Sequence, residues 1–261
     1  MIETTPLRSV FWLIAEKFVG VGLTFLATLF VARHLAPEQF GTLSYLLALL
    51  SIISAISAIG QNALVTRELV ERPEDNDRIM GSSLGVRVGG CILFSSLALV
   101  FSPFLVQAPM RVFFVFLLIG NLFSSLWVFD YWFQALVASP RAVMIRITVI
   151  AIFSVARILA VLADAQLSTF VLIAALEMAV LGVGYFLAYW FSQISPRLVF
   201  DRNEAANLLR HSWWLALSGI AAIVYLKIDL VMLGQMTNDE QVGYYSVATK
   251  LSEFWYFFPA A

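Results

Sequence analysis

The sequence predicts an all-α integral membrane protein: a polytopic helical bundle with a cytoplasmic N-terminus and the two-lobe, parallel-repeat fold of a transporter. Three observations predict it. Of 261 residues, 61% are hydrophobic and 13% charged, where soluble domains average about half and about a quarter. Apolar stretches of bilayer-spanning length recur along the chain with short connections between them. A short motif also repeats 202 residues apart. The net charge of −1 speaks against a nucleic-acid partner. A single cysteine, Cys91, excludes a disulfide scaffold, and two histidines, His34 and His211, give no basis for a metal centre or cofactor.

A bilayer core about 30 Å thick needs about 20 mostly apolar residues per helix. Eight spans are expected, at 11–33, 41–64, 82–102, 111–137, 142–163, 168–192, 213–235 and 241–261. The first is too long for a signal peptide and lacks a small-residue cleavage site, so it stays as a span. The second is the cleanest, with no charge between Glu38 and Arg67. The third opens on Gly81, Gly85 and Gly89, a doubled GxxxG spacing that predicts close helix packing. In the fourth, Trp127, Asp130 and Gln134 share a face, which reads either as a sugar-binding surface or as an interfacial belt. The fifth carries Arg146 and Arg157, three turns apart with only about 20° of drift, as one arginine stripe. Glu177 lies in the sixth, about 13 Å from its start. The seventh holds Lys227 and Asp229, and the eighth Lys250 with Glu253 on the same face.

Orientation follows from basic residues near span ends. With the N-terminus inside, Arg8, Arg67, Arg72, Arg78, Arg141, Arg197, Arg202 and Arg210 are cytoplasmic, and only Arg33 and Arg111 lie outside. Trp12, Trp132, Tyr189, Trp190, Trp213 and Trp214 are expected at the same inner boundary.

The repeated motif is Glu38-Gln39-Phe40-Gly41-Thr42-Leu43-Ser44 and Glu240-Gln241-Val242-Gly243-Tyr244-Tyr245-Ser246. Each copy closes a short outer loop and opens a helix, its Glu set against the exposed amides of the first turn. Six helices per period keep the orientation, which predicts a parallel repeat with a site between the halves. Residues 1–211 are expected to form the first six-helix lobe with its cytoplasmic linker, and 212–261 the first two helices of a second, truncated lobe. The period implies a complete protein of roughly 400 residues or more.

A charge at mid-bilayer costs at least about 2.5–3.5 kcal/mol, so charges within spans must face protein or water. Glu16, Lys17, Arg87 and Arg146 lie near the inner boundary, where side chains can snorkel. Glu16 also shares a stripe with Gly20 and Thr24 that suits a polar cavity wall. The expected cavity residues are Arg146, Arg157, Lys227, Lys250 and Asp130, with Glu16, Glu177, Asp229 and Glu253 as ion-pairing or ion-coupling groups. A plainer reading makes them buried ion pairs that only position helices, such as Arg157 with Glu177. The net positive sign of the deep set suits an anionic, phosphate-bearing cargo. Asp75-Asn76-Asp77 has a metal-holding spacing but reads as a solvated loop, and Cys91 as a packing residue.

Ala32-Arg33-His34-Leu35-Ala36-Pro37-Glu38-Gln39-Phe40-Gly41 resembles the first-loop signature of the polysaccharide transporter, or O-antigen (O-unit) flippase, family of the multidrug/oligosaccharidyl-lipid/polysaccharide exporter superfamily. Tyr225-Leu226-Lys227-Ile228-Asp229-Leu230-Val231-Met232-Leu233-Gly234 and Gly243-Tyr244-Tyr245-Ser246-Val247-Ala248 resemble its second-half signature. The resemblance implies two lobes around a central cavity, alternating access and coupling to a cation gradient. It implies transfer of undecaprenyl-pyrophosphate-linked oligosaccharide units across the bacterial inner membrane, among membrane lipids and beside the polymerase and chain-length regulator of the same glycan pathway. Lys227, Asp229, Lys250 and Glu253 are the matching charged positions. Competing readings are a lipid-II or multidrug exporter of the same superfamily, or a membrane glycosyltransferase or polymerase. The outer loops offer an enzyme only Glu38, Asp164, Asp239 and Glu240.

Overall fold

The computed structural model describes residues 6–136, 140–192 and 197–255, with side chains from residue 20 to residue 253 apart from 137–140 and 193–196. The described residues form helices and no strand. They are α1 (Pro6–His34), α2 (Pro37–Ser57), α3 (Gln61–Glu71), α4 (Asn76–Leu105), α5 (Arg111–Phe123), α6 (Val128–Ala135), α7 (Pro140–Leu162), α8 (Leu167–Ser192), α9 (Arg202–Met236) and α10 (Asp239–Trp255). Among the described residues, six helical segments are long and apolar enough to cross a membrane, and 20–34 forms a shorter apolar stretch of α1. The protein is a multi-pass, all-α membrane protein. Leu162, Phe104 and Phe191 are about four-fifths exposed on its outer surface, as lipid-facing residues are.

The expected spans align with these helices, with two corrections. The second was expected to run unbroken from 41 to 64, but α2 ends at Ser57 and the chain turns before α3. Ile59 and Gly60 take φ of 51° and 62°, a left-handed turn that no helix continues through. Gly60 fits there because a Cβ would meet the Ala216 main chain of α9 at 2.2 Å. Gly60→Ala is expected to lower stability by more than the about 1–2 kcal/mol of the left-handed backbone alone, measured by thermal unfolding in detergent.

The fourth span, expected whole over 111–137, tightens to a 3-10 turn at Ser124–Trp127 between α5 and α6. The cause is local. Ser124 Oγ donates to the Asn121 carbonyl and Ser125 Oγ to the Leu122 carbonyl, both at 2.7 Å, where they compete with the i−4 ladder. Gly120 and Gly182 let α8 approach this segment closely, a Cβ at Gly182 lying 2.5 Å from the Phe123 carbonyl.

Two apolar clusters hold the bundle. One joins α2, α5 and α8 around Leu46, Phe114 and Val171; the other joins α3, α6 and α8 around Val65, Phe129 and Tyr189. Tyr189 is therefore not an interfacial residue as expected. It is fully buried, 4.8 Å from the Phe129 ring and 5.4 Å from Trp132 by centroids. Trp190, Trp213 and Trp214 are exposed. Trp12, Lys17 and Glu16 lie outside the described side chains, and so does the stretch of the eighth span beyond Trp255.

Gly81 and Gly85 pack closely, but not against a helix. Their partner is the extended segment 197–201 leading into α9: a Cβ at Gly81 would lie 2.5 Å from the Val199 carbonyl, and one at Gly85 2.6 Å from the Phe200 ring. Val199 N–H donates to the Asp77 carbonyl at 3.1 Å, and Asp201 N–H to Ser82 Oγ at 3.0 Å. Gly89 meets nothing within 4 Å. Arg78 pairs with Asp201 at 2.7 Å, and Arg72 is gripped at 2.7 Å by both Glu68 and Glu204. This strap ties α9 to α3 and α4 at the basic end of the molecule.

Asp201 caps α9, accepting from the N–H groups of Asn203 and Glu204. The Glu204 N–H, helped by Asn203 and Arg78, holds its carboxyl below the ordinary carboxylate range. A depressed carboxyl stabilises the fold above its unfolded value, so this contribution is complete at neutral pH and is lost as pH falls through the folded value. Arg72→Ala is expected to cost on the order of 2–3 kcal/mol, because Glu204 is 5% exposed and keeps no partner of equal strength. A double-mutant cycle with Glu204→Gln in thermal unfolding checks it.

Candidate functional site

A cavity of about 840 Å³ lies between α1, α2, α7 and α8 on one side and α9 and α10 on the other, with Arg87 of α4 and Asp130 of α6 in its wall. Its lining brings together Arg87, Asp130, Arg146, Arg157, Glu177, Lys227 and Lys250. Most of the rest is apolar, with hydroxyls from Thr24, Thr28, Ser51 and Thr249.

The charges fall into separate groups. Arg157 on α7 makes a short ion pair with Glu177 on α8. Arg146, three turns nearer the basic end, donates from Nη2 to Asp130 Oδ2 at 2.8 Å and from Nε to Tyr185 Oη at 2.9 Å. Gln134 Nε2 shares that Asp130 oxygen at 2.8 Å, while Asp130 Oδ1 is buried with no hydrogen bond. Across the cavity, Lys227 of α9 and Lys250 of α10 both donate to Glu253, at 3.1 and 3.0 Å. Among the described side chains, two ammonium groups there share one carboxylate.

Asp229 is placed apart from the cavity lining. It accepts from Tyr245 Oη at 2.5 Å, between α9 and α10. Glu16 lies outside the described side chains. Trp127 lines the cavity and donates from Nε1 to the Met178 carbonyl at 3.3 Å, so it is not a free belt residue. Asp75 pairs with Arg72 at 3.8 Å, and Cys91 is buried beside Ser124 Oγ at 3.8 Å.

Arg87 was expected to snorkel, but it is 3% exposed and faces inward. A signal for this was present: no acidic residue lies three or four positions either side of it, so nothing on its own helix could neutralise it.

At the other end, the two copies of the repeated motif lie against each other. A Cβ on Gly41 would stand 1.8 Å from the Asp239 carbonyl, and one on Gly243 2.0 Å from the Pro37 carbonyl. Thr42 Oγ1 donates to Asp239 Oδ2 at 3.0 Å across the same crossing. Nearby, Tyr45 Oη donates to the Leu105 carbonyl and accepts from Gln235 Nε2, both at 2.5 Å, which joins α2, α4 and α9. From Phe40 and Ser246 onward, α2 and α10 both line the cavity.

A membrane bundle with a cation-rich chamber between helix groups fits a transporter-type protein. The chain belongs to the polysaccharide biosynthesis protein family, the match covering residues 7–254. No curated protein and no solved structure matches the chain.

Proposed function

We propose that the protein is a flippase that moves undecaprenyl-pyrophosphate-linked oligosaccharide units from the inner to the outer leaflet of the bacterial inner membrane. The products would serve surface polysaccharide synthesis: O-antigen, capsule or exopolysaccharide. The observation that carries this reading is the sign of the chamber: among the described side chains, five basic ones line it against two carboxylates. Even with Glu253 added, the described side chains leave it net positive. A pyrophosphate accepts several charge-assisted hydrogen bonds from such groups. An exporter of cationic drugs needs the opposite balance.

In this reading Arg146, Arg157, Lys227 and Lys250 take turns holding the pyrophosphate, while Asp130 holds Arg146 in the wall. Glu177 and Glu253 are the carboxylates the phosphate displaces. A displaced carboxylate in a dry wall favours its protonated form, which is a physical route to coupling with an ion gradient. Glu16 and Asp229 are read as further ion-pairing or ion-coupling groups outside this exchange. Residues 1–211 act as one lobe and residues 212–261 belong to the second, with the N-terminus cytoplasmic. Polymerase and chain-length regulator act on the delivered unit.

Deleting the gene tests this. Single undecaprenyl-linked units should accumulate on the inner face while surface glycan is lost. Unaltered surface glycan with unaltered carrier pools would sink the reading.

A further inference from the structure

Arg87 stands out among the chamber cations. Arg157, Arg146, Lys227 and Lys250 each have a carboxylate within 3.1 Å, whereas no ion pair forms to Arg87 among the described residues. The residue is only 3% exposed. Nη1 donates to the neutral Tyr131 hydroxyl at 2.6 Å, and Nε is buried with no hydrogen bond. A guanidinium without a counter-charge in this setting is costly, and one neutral hydroxyl does not offset that cost. Asp130, next to Tyr131, bonds Arg146 and Gln134 through Oδ2, and its Oδ1 makes no hydrogen bond to Arg87.

Position adds to this. Arg87 and Arg146 line the chamber toward the basic end, together with Asn62 of the first turn of α3. Arg157 lies eleven residues along α7 from Arg146, about 16 Å further in. The chamber therefore holds anion-attracting groups at two levels, and among the described residues Arg87 is the lining cation with no carboxylate partner and with a buried donor left unbonded.

We infer that Arg87, with the Tyr131 hydroxyl, forms a separate subsite for a phosphate oxyanion at the basic end of the chamber, the first station a phosphate-bearing headgroup meets on entering. The inference rests on the anionic cargo proposed above for its biology, but not for its test. Bound phosphate supplies the charge that the wall lacks. The ligand-free protein is held below its attainable stability by the same omission.

The test is thermal unfolding of the purified full chain in nanodiscs, with and without inorganic pyrophosphate or a short-chain polyprenyl pyrophosphate. Arg87→Met should raise the ligand-free melting temperature and sharply reduce the stabilisation by pyrophosphate. Affinity should fall about 10- to 100-fold, as expected for losing one charge-assisted contact. Arg87→Lys, which keeps the charge, should retain part of the ligand effect and covers the case in which the Met variant fails to fold. Protection by both probes assigns the site to phosphate itself, and protection by the polyprenyl probe alone assigns it to a lipid headgroup. A lower ligand-free melting temperature in Arg87→Met, with pyrophosphate stabilisation intact, would overturn the subsite and make Arg87 a wall strut. No stabilisation of the unaltered protein by either probe would overturn it too. Carrier pools in the deletion strain read leaflet transfer independently, so the two proposals fail separately.

Discussion

Arg157→Ala in the intact protein is expected to reduce surface polysaccharide export by about 10- to 100-fold while leaving membrane insertion unchanged. That range corresponds to the loss of one charge-assisted contact to a phosphate, about 1.5–3 kcal/mol. Insertion should not suffer, because removing an arginine from a span lowers the cost of placing it in the bilayer. Lys250→Ala should act similarly, and its structural effect is the smaller of the two because the Lys227 to Glu253 pair remains at 3.1 Å. The Arg157–Glu177 pair also permits a sharper control. Exchanging the two residues, Arg157→Glu with Glu177→Arg, preserves the pair and moves the cation to α8. If the pair only positions helices, export returns; if the cation must meet cargo from α7, export stays low. Quantified surface glycan beside membrane abundance of each variant decides it. Normal export with both Arg157 and Lys250 changed to alanine would reduce these charges to scaffolding.

A second large effect is expected where the repeated motifs cross. Gly41→Ala places a methyl 1.8 Å from the Asp239 carbonyl, and Gly243→Ala places one 2.0 Å from the Pro37 carbonyl. Both obstacles are main chain, so the first turns of α2 and α10 must separate rather than repack a side chain. Stability should drop by on the order of 1–3 kcal/mol, as overpacking does. The separation should also admit reagents to groups now sealed. Ser246 is 1% exposed behind the crossing. With Cys91, the single cysteine, replaced by serine, a Ser246→Cys probe should react with a membrane-impermeant maleimide faster when Gly41 is alanine. Unchanged labelling and an unchanged melting temperature would show that the crossing seals nothing. Because both glycines serve one contact, the second substitution should add little to the first.

Much of this architecture is written in apolar run length. Spans such as 168–192 match α8 closely because a run of that composition has no other stable arrangement in a bilayer. The break at Gly60 was not legible, since it depends on the Ala216 backbone, and the one at Ser124–Trp127 rests on two serine hydroxyls that run length does not weigh. Gly81 and Gly85 show the same limit. Their spacing announces a close approach and cannot say to what, and the partner is a polar-flanked linker over a hundred residues away. For the cavity, depth within a span picked out Arg157, Glu177, Lys227 and Lys250, which do meet in one chamber. Depth misjudged Arg87, because a few residues from the expected span boundary at 82 is not the same as an open path to water. That path depends on what α6 places in front of it, here Tyr131.

The strap at residues 197–201 has a mechanical consequence. It pins the start of α9 through Gly81, Gly85, Arg78 and Arg72, while the far end of that helix is held by Tyr45 and by α10 at the glycine crossing. A helix of 35 residues is about 52 Å long, well beyond a bilayer core. With the far contacts released, it would be a lever arm about the strap. A tilt of about 5° about the strap carries its far end through about 5 Å by that length. Such a displacement suffices to separate helices that touch only through hydrogen atoms at their closest residues. The strap thus lies at the end opposite the one where small rotations have their greatest reach.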